Sequence, residues 1–168
     1  NSGEQLRNLF RVVYVAPDLN TQDYSDLRFI SRPGGSLEQF VQLGGVAVIN
    51  VAGSVGNQDD IAPGGVDYAA VASHNAEQVL APDHPYMSGT SFGGPMLSSA
   101  DFQSWQPTDL GVLNGLPEGS TTILRNGAGA SLAEYNYGAG RVIISTITYC
   151  WPGRMGSDGA AARNLLLY

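Results

Sequence analysis

The sequence predicts a three-layer α/β domain with a mainly parallel sheet and an antiparallel extension in its C-terminal half. Three observations carry that expectation. Residues 46–51 (VAVINV) are nearly continuous, apolar and β-branched, the pattern of a strand covered on both faces. Just before them, Leu37, Phe40, Val41 and Leu43 form a helical stripe closed by Gly44-Gly45, so helix, tight turn and buried strand make half of a βαβ unit. Residues 141–149 (RVIISTITY) are a second long apolar run, entered through a turn at Gly138-Ala139-Gly140. The two runs are expected to be interior neighbours in one sheet.

The other elements follow in chain order. Residues 3–10 (GEQLRNLF) carry Leu6, Leu9 and Phe10 on one helical side, and residues 11–15 (RVVYV) read as a strand stopped by Pro17. Opening on a helix is unusual for a parallel domain, so a first strand is expected either to lie upstream of this sequence or to be missing. Residues 17–26 are polar and turn-rich, and residues 27–31 (LRFIS) are expected to be a strand closed by Arg32-Pro33-Gly34-Gly35. Ser36 is placed as the cap of the following helix. Residues 57–66 (NQDDIAPGGV) read as a loop, and residues 68–80 as a strand followed by a short helix from His74 or Asn75. Residues 81–107 form a long irregular excursion, the kind of segment that often packs over a site. Residues 110–113 form a short strand, residues 121–125 (TTILR) and 131–137 (SLAEYNY) form antiparallel strands, and residues 160–167 (AAARNLLL) form a closing helix.

Composition narrows the function classes. A chain of 168 residues suits one domain, 1–168, and is too short for two comfortable ones. With 43% apolar and 14% charged residues, it is globular rather than disordered. Its eight basic residues are all arginine, against fifteen acids and a net charge of -7, which excludes the basic footprint of a nucleic-acid binder. The absence of lysine fits a GC-rich genome or a secreted protein. One cysteine, Cys150, excludes an intrachain disulfide and reads as a small buried hydrophobe. No signal peptide, transmembrane span or lipidation motif is visible. An extracellular or envelope location is favoured over the cytoplasm, and the oligomeric state is left open.

In order along the chain, Arg32-Pro33-Gly34-Gly35, the helix-Gly-Gly-strand unit of residues 40–51, residues 84–89 (HPYMSG) and residues 134–142 (EYNYGAGRV) resemble the class I glutamine amidotransferase-like superfamily of flavodoxin-like domains. The likeness is to its non-amidotransferase branches. It spans roughly residues 27–168 and implies a flavodoxin-like sheet. In the amidotransferases a Pro-Gly-Gly loop forms an oxyanion hole, a G-x-C-x-G-x-Q elbow carries the nucleophile and a late His-x-Glu pair completes the triad. Residues 52–58 (AGSVGNQ) are similar to that elbow with serine in place of cysteine, and no histidine follows His84. The resemblance therefore implies the fold without glutamine hydrolysis.

Read from the residues themselves, Ser54 flanked by small residues suits a nucleophile on a strand-to-helix turn. His74 or His84 would serve as its base, an acid among Asp59, Asp60 and Asp83 would orient the ring, and amides at Gly34, Gly35 or Val55 would hold an oxyanion. The plainer reading makes His84 a loop-packing residue and Ser54 part of a turn. Asp59-Asp60 lack the alternating spacing of a calcium loop, and two histidines with one cysteine cannot assemble a His/Cys zinc site alone. Neither a Walker lysine nor a G-x-G-x-x-G pattern accompanies the glycine pairs, so no metal and no nucleotide cofactor is expected. Trp105, Trp151 and Tyr86 suit either a sugar-stacking platform or the core.

The resulting expectation is a non-catalytic accessory or ligand-binding domain of a larger bacterial envelope or secreted protein. Its partners would be other domains of a parent chain or a small ligand, held at the rim by Gly34, Gly35, Ser54, Asn57, Asp59 and Asp60. The alternatives are a serine hydrolase using Ser54, and a structural or oligomerisation domain.

Overall fold

The computed structural model describes residues 2–53, 55–74, 77–103, 109–149 and 157–168. The chain opens with helix α1 (Ser2–Leu9) and strand β1 (Val12–Val15). Helix α2 (Thr21–Ser31) comes next, where a polar loop and then a strand were expected. Asn20 explains the difference: its Oδ1 accepts the N–H groups of Gln22 and Asp23, and Asp23 returns a bond to the Asn20 N–H, a complete capping box. Tyr24, Leu27 and Ser31 then fall on one buried face at helical spacing, leaving Phe29 in solvent.

Helix α3 (Ser36–Gln42) begins one residue earlier than expected, with Gly35 rather than Ser36 at its N-cap. Gly44-Gly45 then deliver β2 (Val46–Asn50). The presumed loop after it contains β3 (Gln58–Ala62), which reads as polar because Asp59 and Asp60 face solvent on an edge strand. Strand β4 (Val66–His74) is longer than expected, and β5 (Gln78–Val79) stands where a short helix was placed, with residues 75 and 76 outside the described set. The excursion after residue 81 holds two short helices, α4 (Pro85–Ser88) and α5 (Ser99–Gln103). Strands β6 (Asp109–Asn114), β7 (Thr121–Arg125), β8 (Ala130–Tyr137) and β9 (Gly140–Ser145) and helix α6 (Ser157–Leu167) complete the described elements.

The strands form a mixed nine-stranded sheet that curls into a half-barrel, ordered β1-β2-β9-β8-β6-β4-β3, with β7 on β8 and β5 on β7. Strands β2 and β9 are parallel neighbours, from Val46 opposite Arg141 to Asn50 opposite Ser145. Parallel pairing is confined to β1 with β2 and β2 with β9, and every other described pairing is antiparallel. The sheet is therefore not mainly parallel, and its antiparallel part begins at β3 rather than in the C-terminal half. Connection length is the reason. The turns at residues 63–65 and 138–139 are too short for a crossover and fold each strand back beside its predecessor.

Both faces of β2 and β9 are covered. Ala47, Ile49, Val142 and Ile144 meet Tyr24 and Leu27 of α2 and Leu37, Phe40 and Val41 of α3. Val48 and Ile143 point the other way, into a second core with Tyr86, Met87, Phe102, Ala161 and Leu165 from α4, α5 and α6. This double burial is why the two runs lack polar alternation. Among the described residues no helix is long and apolar enough to cross a membrane.

Candidate functional site

The helices beside the two central strands lie on opposite faces, α3 before β2 on one and α6 after β9 on the other. In layered α/β sheets the crevice at the carboxyl ends of such strands is the usual ligand position. Here those ends carry buried polar side chains. Asn50 is completely buried; its Nδ2 donates to the Ile147 carbonyl at 3.1 Å and its Oδ1 accepts the Ala52 N–H at 3.1 Å. Ser145, opposite Asn50, accepts the Ile147 N–H at 3.0 Å and donates to the Tyr149 hydroxyl at 3.4 Å. Tyr149 in turn lies 3.1 Å from the Tyr86 hydroxyl. Burial pushes both phenols well above their ordinary pKa, so they are neutral hydrogen-bonding groups.

The neighbouring rim is fixed by two tyrosines of the first core. Tyr24 donates to the Val51 carbonyl at 2.7 Å, and the Tyr68 hydroxyl is shared between the carbonyls of Gly53 (2.9 Å) and Leu110 (2.8 Å). Their rings stack with centroids 6.0 Å apart. Desolvation raises the Tyr68 pKa to about 12. Across from Gly53, Asp18 donates its N–H to the Ala52 carbonyl at 3.0 Å while holding φ at 68°, a conformation that costs a non-glycine residue energy.

An acidic pair lies behind this rim. Glu77 and Asp109 are almost fully buried and hydrogen-bonded to each other. Asp109 also accepts Asn126 Nδ2 at 2.9 Å, and Ser131 donates to Glu77. Desolvation raises the Asp109 pKa, and the bonds from Glu77, Asn126 and the Gly111 backbone offset that only in part. The folded state therefore holds a proton that the unfolded chain releases. Its contribution is fully present below the ordinary carboxylate pKa of about 4 and is lost as pH rises through the raised value. The Asp109→Asn variant is expected to lose that pH-dependent segment in denaturant titrations from acid to neutral pH. A parallel wild-type and variant stability profile would contradict the assignment.

His84 caps α4, its Nδ1 accepting the Tyr86 N–H at 3.3 Å. Its Nε2 lies 3.5 Å from Glu134 Oε2, and its ring edge meets Tyr168 at 5.1 Å. Arg141 completes the group, 3.6 Å from Glu134 and donating to the Tyr168 hydroxyl at 2.9 Å. For Glu134, burial alone would raise the pKa; the bonds from His84 and Tyr168 and the Arg141 charge outweigh it and hold the carboxyl below its usual value. Both His84 nitrogens are thus engaged in packing a loop.

The structure describes several of the expected site residues. Ser54 lies outside the described residues. The His74 backbone ends β4 opposite Asp109, and its side chain is outside the described set. Gly34 and Gly35 form the α2–α3 turn, where Glu38 Oε2 accepts the Gly34 N–H at 3.3 Å and a Cβ on Gly35 would stand 2.2 Å from the Ile30 carbonyl oxygen. They follow the C-terminal end of α2, whereas Gly53 lies beside the hydroxyl of Tyr24 near its start. Asn57 accepts the Ala70 N–H at 3.0 Å, tying the chain to β4. Asp59 and Asp60 sit exposed on β3, with the Asp60 N–H donated to Asp67 at 2.9 Å. Tyr86 belongs to the core; Trp105, Cys150 and Trp151 are outside the described residues. No group of three or more His, Cys, Asp or Glu suited to a metal ion occurs among the described residues.

The groups that do converge, Asn50, Ser145, Tyr149 and the Glu77–Asp109 pair, escaped the sequence reading. Their one legible signal was position: Asn50 and Ser145-Thr146 are the first polar residues to interrupt apolar runs.

No family model and no curated protein matches the chain. Among solved structures it is similar to "Cytoplasmic Protein STM3548 from Salmonella typhimurium", with a TM-score of 0.52 and 12% sequence identity over 98% of this chain and 73% of that one. At that identity the likeness is one of fold.

Proposed function

We propose that this chain is a non-catalytic accessory or ligand-binding domain of a larger bacterial protein, akin to the non-amidotransferase branch of class I glutamine amidotransferase-like domains. Its ligand position is the crevice at the carboxyl ends of β2 and β9. The observation that carries the reading is the engagement of both His84 ring nitrogens, by the Tyr86 N–H and by Glu134. With the Nδ1 lone pair taken by the Tyr86 N–H and Nε2 turned toward Glu134, this histidine is poorly placed to act as the base for a serine. The helix-Gly-Gly-strand unit leading into β2 supports the kinship, and the fixed backbone of residues 51–53 beside the strained Asp18 supports the crevice as the binding rim.

The rim carries Asp18 and Asn20, and the chain has no lysine, so the chemistry favours a small neutral or cationic polar ligand over an anion. A serine-reactive fluorophosphonate probe tests the non-catalytic part, with no covalent labelling expected. Labelling of Ser54 that disappears in Ser54→Ala would replace this reading with the serine hydrolase. The acidic, lysine-free composition is the ground for placing the parent protein in the envelope or outside the cell. Since the similar Salmonella structure is named a cytoplasmic protein, recovery of the parent in the cytosolic fraction would overturn that placement alone.

A further inference from the structure

Two asparagines in the chain precede glycine: Asn114 before Gly115 and Asn126 before Gly127. Glycine leaves its own backbone nitrogen unhindered, because it carries no Cβ. The two side chains are held very differently. Asn126 is buried; its Nδ2 donates to Asp109 at 2.9 Å and to the Gly111 carbonyl at 3.4 Å, and its Oδ1 accepts the N–H groups of Ala128 at 2.8 Å and Gly129 at 3.0 Å. Asn114 ends β6 with an exposed side chain that makes no hydrogen bond among the described residues, and the chain turns away at Gly115 with φ 67°.

We propose that Asn114 is a site of spontaneous deamidation, while Asn126 is protected by the fold. The Gly115 nitrogen attacks Asn114 Cγ; an N–Cγ bond forms, the Cγ–Nδ2 bond breaks, and the Gly115 amide proton leaves with Nδ2 as ammonia. Water then opens the cyclic imide at either carbonyl, giving aspartate or isoaspartate. The balance is one water consumed and one ammonia released, with no redox partner. The new carboxylate faces Asp67, the residue opposite Asn114 across the β4–β6 pair, whose own carboxylate already accepts the Asp60 N–H. Like charges directly across a strand pair are destabilising, and the isoaspartate form also lengthens the main chain by one atom at that point.

The intact protein, folded and separately unfolded in denaturant, is incubated for days in mildly alkaline buffer, and its peptides are mapped by mass spectrometry with isoaspartate resolved from aspartate. In the folded protein Asn114 is expected to react about tenfold faster than Asn126 or more, and the two rates are expected to converge in the unfolded chain. Asn114→Gln is expected to remove the shifted peptide while leaving Asn126 slow. Equal rates at the two sites in the folded protein would overturn the proposal. So would an Asn114 that stays intact over the time in which the unfolded chain reacts.

Discussion

Gly140→Ala is expected to lower the unfolding free energy by about 3 kcal/mol, at the top of the usual overpacking range. A Cβ at this position would stand 2.1 Å from the Val41 carbonyl oxygen and 2.3 Å from the Gly45 carbonyl oxygen. Both are main-chain atoms, so no side-chain rotation relieves the clash. Val41 accepts the Gly44 N–H at the end of α3, and Gly45 accepts the Arg141 N–H as β9 begins alongside β2. Displacing either carbonyl disturbs the point where helix, turn and both central strands meet. Gly127→Ala is the control, because nothing lies within 4 Å of its added Cβ, and surface changes of that kind fall within about 0.5 kcal/mol. Urea denaturation of the two variants gives the comparison. Equal midpoints would mean that Gly45 and Gly140 are not in close contact.

Asn126→Ala is expected to cost about 3 kcal/mol as well, by loss of polar partners rather than by crowding. Its side chain serves Asp109, the Gly111 carbonyl and two backbone N–H groups of the β7–β8 turn. Alanine leaves the Asp109 carboxyl with one donor fewer in a buried setting, which also raises its pKa further. The loss should therefore grow as pH rises and Asp109 is forced to ionise. Asn126→Asp places a third acid beside Glu77 and Asp109, and its penalty should exceed that of alanine near neutral pH. A loss below about 1 kcal/mol, independent of pH, would contradict this account of the polar core.

The sequence disclosed the parts of the fold governed by local pattern. Residues 46–51 and 141–149 announced buried strands because each contributes side chains to both cores, and Gly44-Gly45 marked the turn between helix and strand. Helix α2 was missed because its evidence was a cap rather than a stripe: Asn20 and Asp23 look like loop residues until their mutual bonds are seen, and Phe29 breaks the apolar face. Strand β3 was missed because an edge strand needs only Ile61 and Ala62 inside. Short turns set three antiparallel pairings, β3 with β4, β7 with β8 and β8 with β9, while β4 with β6, β5 with β7 and β6 with β8 join strands apart in sequence. A mainly parallel sheet was inferred from hydrophobicity that both-sided burial explains equally well.

The site was less legible than the fold, for a related reason. Motif-like spacing drew attention to Ser54, His84 and the Gly34-Gly35 pair, whereas the polar groups that converge come from segments far apart in sequence: Asn50, Glu77, Tyr86, Asp109, Asn126 and Tyr149. Nothing in the local pattern around Glu77 distinguishes it from a solvated acid. Only the fold brings it against Asp109 and Ser131.

The parallel adjacency of β2 and β9 supports the two cores, the crevice and the proposed ligand position together, and interstrand nuclear Overhauser effects in isotope-labelled protein test it most directly. The account predicts contacts in ascending register, Val46 with Arg141, Val48 with Ile143 and Asn50 with Ser145. Contacts in the reverse order, or none between these two segments, would contradict it.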